Sequence, residues 1–277
     1  MKKNERAAAI VRTIVVSLIA VLFVVPLVWM VLSSLKTAPE VFARPFHWLP
    51  ARVQWQNYAT VWMNEEASML RALANTLYIA LFSIVGHMFI SSLAAYSFAK
   101  INFKGKQVVF MLFLSSMMVP SQLTIIPRFM LFKTIGLYNN LWAIILPAFF
   151  GATSIFMLRQ FYMGLPNDLI EAAKIDGAGH LRIFLRIMLP LTKAALMSLI
   201  ILAFISSWNE YMAPLIFLVK KELYTVSQNI QWYMLDEFKE HNLTMAAATS
   251  AIVPVVILFI VGQKYFVEGI ATSGVKG

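Results

Sequence analysis

The chain has 277 residues, of which 60% are hydrophobic and 13% charged, with a formal net charge of +10 and no cysteine. Soluble domains carry about 25% charged residues, and at a mean hydropathy of +0.73 this chain lacks the polar surface to stay in water. The same figures exclude disordered, collagen-like and coiled-coil classes, and the missing cysteine excludes disulfides, thiolate zinc sites and a cysteine nucleophile. An integral membrane protein is what remains.

A spanning helix needs about 20 predominantly apolar residues. In chain order, runs of that length cover about 13–35, 72–98, 108–127, 137–158, 194–219 and 243–263. Open sheet edges cannot be satisfied in lipid, so the fold class is all-α: a polytopic membrane protein with six transmembrane helices, a single transmembrane domain over 1–277. The first run follows a basic start, as a signal peptide would, but it is too long and no small-x-small cleavage site follows it. It is read as a retained helix. Prolines at 26, 120, 127, 147, 214 and 254 lie in or at the ends of runs, where neighbouring helices can satisfy the carbonyls they free.

The net charge invites a nucleic-acid reading, which its placement argues against. Outside the runs, fourteen Lys and Arg fall on the side that holds both termini and nine on the other, while acidic residues run five against seven. Excess basic charge marks the cytoplasmic side, so both termini are expected in the cytoplasm. The triplet Lys100, Lys104, Lys106 in one short loop agrees with this. Topology explains the charge, and no nucleic-acid partner is expected.

The segment 164–190, before the fifth run, is too long for a plain connection. Asp168 with Glu171 three residues on has capping-box spacing and predicts a helix start. Leu169, Ile170 and Ala173 would form its apolar face, and Gly177 offers a residue tolerant of positive φ at its end. A second helix is predicted from His180 to Met188, with Arg182 and Arg186 on one face, broken at Leu189-Pro190. From spacing alone this hairpin is either a surface element resting on headgroups through its arginines or a docking element.

The residues themselves bear on that choice. Glu171-Ala172-Ala173, three residues, Gly177, nine residues, then Ile187-x-Leu189-Pro190 fixes seven positions over twenty. It resembles the cytoplasmic "EAA" coupling loop of permease subunits of binding-protein-dependent ABC importers, at the expected place before the penultimate span. Leu35-Lys36-Thr37, Phe46-His47-Trp48-Leu49-Pro50, Gly136-Leu137-Tyr138-Asn139-Asn140, Trp208-Asn209-Glu210-Tyr211 and the tail Val275-Lys276-Gly277 are similar to the maltose-type, carbohydrate-uptake branch. The resemblance implies a second, non-identical permease, two ATPase subunits and an extracytoplasmic solute-binding protein as partners, in a prokaryotic cytoplasmic (inner) membrane. It implies that Glu171, Ala172, Ala173, Asp176, Gly177, Ile187, Leu189 and Pro190 couple to the ATPase, with Gly274, Lys276 and Gly277 reaching toward the ATPase seam. This chain has no G-x-x-x-x-G-K-[ST] loop, so it is expected to be non-catalytic and without cofactor of its own, ATP and Mg being bound by the partner.

Glu210 is the only acidic residue inside a run. Its burial at a helix centre costs about 2.5–3.5 kcal/mol, so such a residue usually faces a cavity or a partner. At nine residues before Val219 it lies about 13 Å from the outer end at helical rise. Asn209, Glu210 and Tyr211 are candidates for the translocation path or a gate; the bland reading is an interhelical hydrogen bond. Gln122, with Ser121 between Pro120 and Pro127, is open to the same two readings. Met111, Met117, Met118 and Met130 read as lipid-facing or packing. His87, with no ligand-spaced partner, reads as a packed, hydrogen-bonded histidine, and the scattered histidines argue against a metal site. Ser115-Ser116 and Ser206-Ser207 read as helix–helix contacts. Trp48, Trp55, Tyr58 and Trp62 suit interfacial anchoring or the docking of a binding protein.

Three functional classes separate on these grounds. A stand-alone secondary transporter or channel usually carries several intramembrane ionisable groups, against one here, and has no use for the hairpin. An intramembrane enzyme needs a dyad or metal motif, and none is visible. An ABC permease for a non-sugar solute stays open, because the coupling loop is shared widely.

Overall fold

Backbone amides within an apolar run find partners only inside their own helix, and the chain takes that solution along its length. The computed structural model describes residues 2–235 and 240–274, and among these there is no strand. Four helical stretches are long and apolar enough to cross a membrane: Ala8–Ser34, Met69–Lys100, Trp142–Met163 and His241–Gln263. Two further pairs meet the test together but are sharply bent, Lys106–Met118 with Ser121–Thr134 at 92° and His180–Leu191 with Lys193–Trp208 at 78°. The described residues therefore hold four to six candidate spans, the higher number counting each bent pair as one.

The bends correct two of the expected runs. The run 108–127 is not one straight helix. Helix Lys106–Ser115 tightens into a 3₁₀ turn at Ser116–Met118, breaks at Val119, and restarts beyond Pro120 with a second 3₁₀ turn at Ser121–Thr124. Proline removes a donor and disfavours helix in the residue before it, and Val119 is accordingly extended at φ −87°, ψ 112°. The run 194–219 divides as well, into Lys193–Trp208 and Met212–Phe217 with 209–211 between them.

The residues group into two compact units, 1–70 with 229–253 and 71–228 with 254–277. In the first, small apolar residues such as Val41, Val61, Ala246 and Ala247 are fully buried, and buried amides tie the segments together. Asn57 Nδ2 donates to the carbonyls of Ser34 and Lys36, each at 2.8 Å, while its Oδ1 accepts from Asn242 Nδ2 at 3.0 Å. Asn229 Nδ2 donates to Ala67 O at 2.8 Å. The loop aromatics divide in role. Tyr58 is hydrogen-bonded to Ser34 Oγ at 2.7 Å and Trp62 donates to Ser250 Oγ at 2.9 Å, whereas Trp48 and Trp55 are 49% and 70% exposed.

The second unit has two apolar clusters. One surrounds Tyr96, Leu158, Tyr162, Ile183, Phe184 and Met188; the other surrounds Ile79, Phe132, Ile145, Phe217 and Leu218. The Gly136–Asn140 turn serves the second cluster. Gly136 at φ 76° and Asn139 at φ 61° reverse the chain. Asn139 then clamps the strand of backbone after Phe217: its N–H donates to Phe217 O at 2.8 Å, and its Oδ1 accepts the N–H groups of Val219 and Lys220 at 3.1 and 3.0 Å. Asparagine tolerates the left-handed region because its short polar side chain can bond locally. Met111, Met117, Met118 and Met130 are all exposed on the protein surface.

Candidate functional site

Two regions of the second unit carry the chemistry. The first is 164–190, which forms the helices Asp168–Ile175 and His180–Leu191. The first helix starts where expected but without a capping box. Asn167 is the N-cap and makes no side-chain cap bond; Asp168 and Glu171 both fall in the first turn, where negative charge is favourable beside exposed N–H groups. The Asn167 side chain instead accepts from Lys100 Nζ at 2.7 Å, and the same ammonium donates to Leu165 O at 2.7 Å. The C-terminus ends as its glycine predicts. Gly177 sits at φ 76°, its N–H bonds Lys174 O at 3.0 Å and the Ala178 N–H bonds Ala173 O at 2.9 Å, the paired closure that needs a left-handed residue.

The expected apolar face divides. Ile170 and Ala173 are buried, but Leu169 is 41% exposed. Ala173 thus turns inward, and Ile187 and Leu189 pack on the same cluster. Glu171, Ala172, Asp176, Gly177 and Pro190 stay outside. Sequence reasoning overlooks Ile175, which is 87% exposed on this outer face. Helical period was the available signal, because Ile175 lies one turn on from Glu171 and Ala172.

The second helix does not break at Leu189-Pro190 but continues to Leu191. Pro190 has no N–H to give, and the turn before it, Phe184–Met188, widens to π geometry, a common way to absorb a missing rung. The 78° bend comes at buried Thr192, whose Oγ1 shares its proton between Met188 O at 3.1 Å and Leu189 O at 3.0 Å. The helix pair is tied to the end of the Met69–Lys100 span. Besides Lys100, the Tyr96 hydroxyl lies 3.1 Å from His180 Nδ1, and Tyr96 packs on Tyr162 and Phe184.

The second region is a cavity of 820 Å³ built at the helix breaks. Gln122 and Ser121 enter it from the 3₁₀ turn after Pro120, Ala148 and Ser154 from either side of the interruption at 149–151, and Asn209, Glu210 and Tyr211 from the break at 209–211. Non-helical backbone at membrane depth is tolerated where it is buried in protein or lines a cavity. The cavity brings together the separated residues Gln122, Asn209, Glu210 and Tyr211.

Glu210 is not at a helix centre, as the apolar run suggests. It sits in the break, and its Oε1 accepts the N–H of Ala213 at 3.0 Å, satisfying the first turn of Met212–Phe217. Asn209 Nδ2 donates to Ile205 O at 2.8 Å, closing the end of the preceding helix. His87 is packed and hydrogen-bonded as expected. Its Nδ1 lies 2.8 Å from Ala148 O and its Nε2 2.8 Å from Ser154 Oγ. A carbonyl only accepts, so Nδ1 carries a proton, while the Ser154 hydroxyl can either donate to Nε2 or accept from it. A Cβ on Gly151 would fall 2.2 Å from the His87 ring, and one on Gly86 2.2 Å from Phe149. These glycines let the second span close on the interrupted fourth.

Three further lining residues escape sequence reasoning. Ser206 and Ser207, read as helix contacts, face the cavity, and so does Arg128. Arg128 reads from sequence as the first residue of an external loop, because an apolar run ends at its first charge. The structure places it inside helix Ile125–Thr134, with its guanidinium 5.0 Å over the Phe217 ring. Among the described residues no cluster of His, Asp and Glu could hold a metal. Of the expected ATPase-facing tail, Gly274 ends the last helix, while Lys276 and Gly277 lie outside the described residues.

Comparison with known proteins follows the same geometry. The chain is 33% identical over 267 residues to the arabinooligosaccharides transport system permease protein AraQ of Bacillus subtilis, covering 96% of this chain and 95% of that one. It is 29% identical over 279 residues to the sn-glycerol-3-phosphate transport system permease protein UgpE of Yersinia pestis, covering 99% of each. It is 28% identical to the diacetylchitobiose uptake system permease protein NgcG of Streptomyces coelicolor, over 94% of this chain and 86% of that one. A chain of a bacterial ABC transporter that imports the acidic polysaccharide alginate shares the fold, with a TM-score of 0.84 at 23% identity over 95% of this chain and 98% of that chain. Residues 87–272 match the model of a family of transport permeases, and the chain belongs to it: the binding-protein-dependent transport system inner membrane component family.

Proposed function

We propose that this chain is the transmembrane permease subunit of an ATP-driven ABC importer for sugars or oligosaccharides. The observation that carries this reading is a cavity with polar groups gathered at three helix breaks, in the same unit as a helix pair whose outer face is exposed. Amid aliphatic side chains the lining carries hydroxyl and amide groups, from Ser121, Gln122, Ser154, Asn209 and Tyr211, which match a polyhydroxylated solute, and two of the relatives are named for oligosaccharide or chitobiose uptake. Gln122, Asn209, Glu210 and Tyr211 line the translocation path or its gate.

Glu171, Ala172, Ile175, Asp176 and Gly177 form the surface that a cytoplasmic ATPase grips, with small residues allowing close approach. Ala173, Ile187 and Leu189 hold that surface from inside, and Pro190 stands outside at its far end. Closure of two ATPase subunits on ATP moves the helix pair. Lys100, Tyr96 and Thr192 pass that motion to the spans and change which side the cavity faces. ATP and Mg belong to the ATPase, since this chain has no phosphate-binding loop. A second, non-identical permease completes the path, and an extracytoplasmic binding protein delivers solute, with exposed Trp48 and Trp55 available for docking. Gly274, Lys276 and Gly277 extend toward the ATPase seam. The basic bias of the loops supports both termini lying in the cytoplasm, in a prokaryotic inner membrane.

Mild-detergent purification of the tagged chain, with co-purifying proteins identified, tests this. A second permease and an ATPase should come with it. ATP hydrolysis by that complex should rise on adding a sugar-loaded binding protein, and proteoliposomes should take up the sugar. Solute flux from the lone subunit, without ATP, would overturn the reading.

A further inference from the structure

The cavity holds one cation and one anion, Arg128 and Glu210. The Arg128 Nε is buried and has no hydrogen-bond partner among the described residues. Its guanidinium face rests on Phe217, so the edge that bears the donors is left for something else. Glu210 commits Oε1 to the Ala213 N–H, and Oε2 is left over. The two groups attract one another across the cavity without closing as an ion pair. An arginine at membrane depth ordinarily pairs with a neighbouring group or marks a substrate pathway.

We propose that Arg128 contacts the solute, and that Arg128 and Glu210 together grip neighbouring hydroxyls of an uncharged sugar while disfavouring an acidic one. One hydroxyl donates to the free carboxylate oxygen of Glu210; the next accepts from the guanidinium. The formal charges of Arg128 and Glu210 cancel, and the hydroxyl and amide groups of the lining are neutral. An acidic solute drawn to Arg128 meets Glu210 and is repelled. Tyr211 adds an aromatic ring beside the pair. The proposal rests on the sugar-importer reading and narrows its substrate class to neutral sugars.

Saturation-transfer NMR on the detergent-purified permease–ATPase complex, without binding protein, tests it with arabinotriose and trigalacturonate. The wild-type complex should bind arabinotriose in preference to trigalacturonate. Arg128→Gln should weaken arabinotriose binding by about ten-fold or more, the scale of losing a hydrogen bond to a charged group, and Arg128→Lys should recover part of it. Glu210→Gln, which leaves the cavity net positive, should reverse the preference toward trigalacturonate. Unchanged arabinotriose binding in Arg128→Gln, or an unchanged preference in Glu210→Gln, overturns the proposal. If Arg128→Gln fails to assemble, the Glu210→Gln preference decides alone. ATP-driven sugar uptake by the wild-type complex judges the importer reading separately, so the two can fail independently.

Discussion

Between Asp168 and Pro190 the proposed coupling surface is written in one stretch of sequence, and its face is set by helical period and one left-handed glycine. The cavity is assembled differently. Its polar groups run from Ser83 to Tyr211 and come from several separate segments, among them the turn at Ser121–Thr124 and the break at 209–211. A local surface of the first kind depends on a few backbone conformations, so a single change at its turn should be severe. A surface of the second kind depends on packing between segments, so damage there should appear first as lost stability.

Gly177 offers the hardest test of the first half of this contrast. No atom lies within 4 Å of a Cβ built there, so space is not the constraint; φ 76° is. Gly177→Val should abolish ATP-driven uptake while leaving membrane insertion intact, whereas Gly177→Asn, which tolerates the left-handed region, should keep a substantial fraction. Normal uptake in the valine variant would separate the turn from coupling altogether. Next in size, Ile175→Asp should cut co-purification of the ATPase several-fold and leave the thermal stability of the subunit unchanged, because an 87% exposed side chain has little packing to lose. A fall in stability instead would mean that the outer face packs within the subunit.

The second half of the contrast is tested at Gly86, where a Cβ would meet the Phe149 ring at 2.2 Å. Gly86→Ala should destabilise the purified subunit by about 1–3 kcal/mol, the usual range for overpacking, measured by thermal or denaturant unfolding in detergent. The smallest effect is expected at the elbow. Thr192→Val keeps the shape but leaves two carbonyls without the hydroxyl, which should cost about 1 kcal/mol and lower sugar uptake less than the glycine variants do. If Thr192→Val were instead as damaging to uptake as Gly177→Val, the elbow and the turn would be equal parts of one coupling device.

Much of this was legible without coordinates. The apolar runs, the helix starting at Asp168, the left-handed Gly177 and the hydrogen-bonded His87 all follow from composition, period and residue chemistry. What misled was locality. Counting a run until its first charge put Arg128 in an outer loop, and counting through Glu210 put that residue mid-helix. The capping-box spacing at Asp168 marked the right place with the wrong bond, because Lys100, sixty-seven residues away from Asn167 in sequence, occupies the asparagine carbonyl.

By itself, then, the sequence determined that this chain lives in a membrane, that it is helical, and that a pair of short helices precedes its fifth apolar run. Each of these is a property of neighbours along the chain, where hydropathy and helical period act directly. Only the tertiary structure decided where the helices bend and which side chains meet at the bends. A polar group at a helix end or bend can be satisfied in many ways, and the partner that satisfies it comes from a distant segment: Ser154 for His87, and Asn139 for Val219 and Lys220.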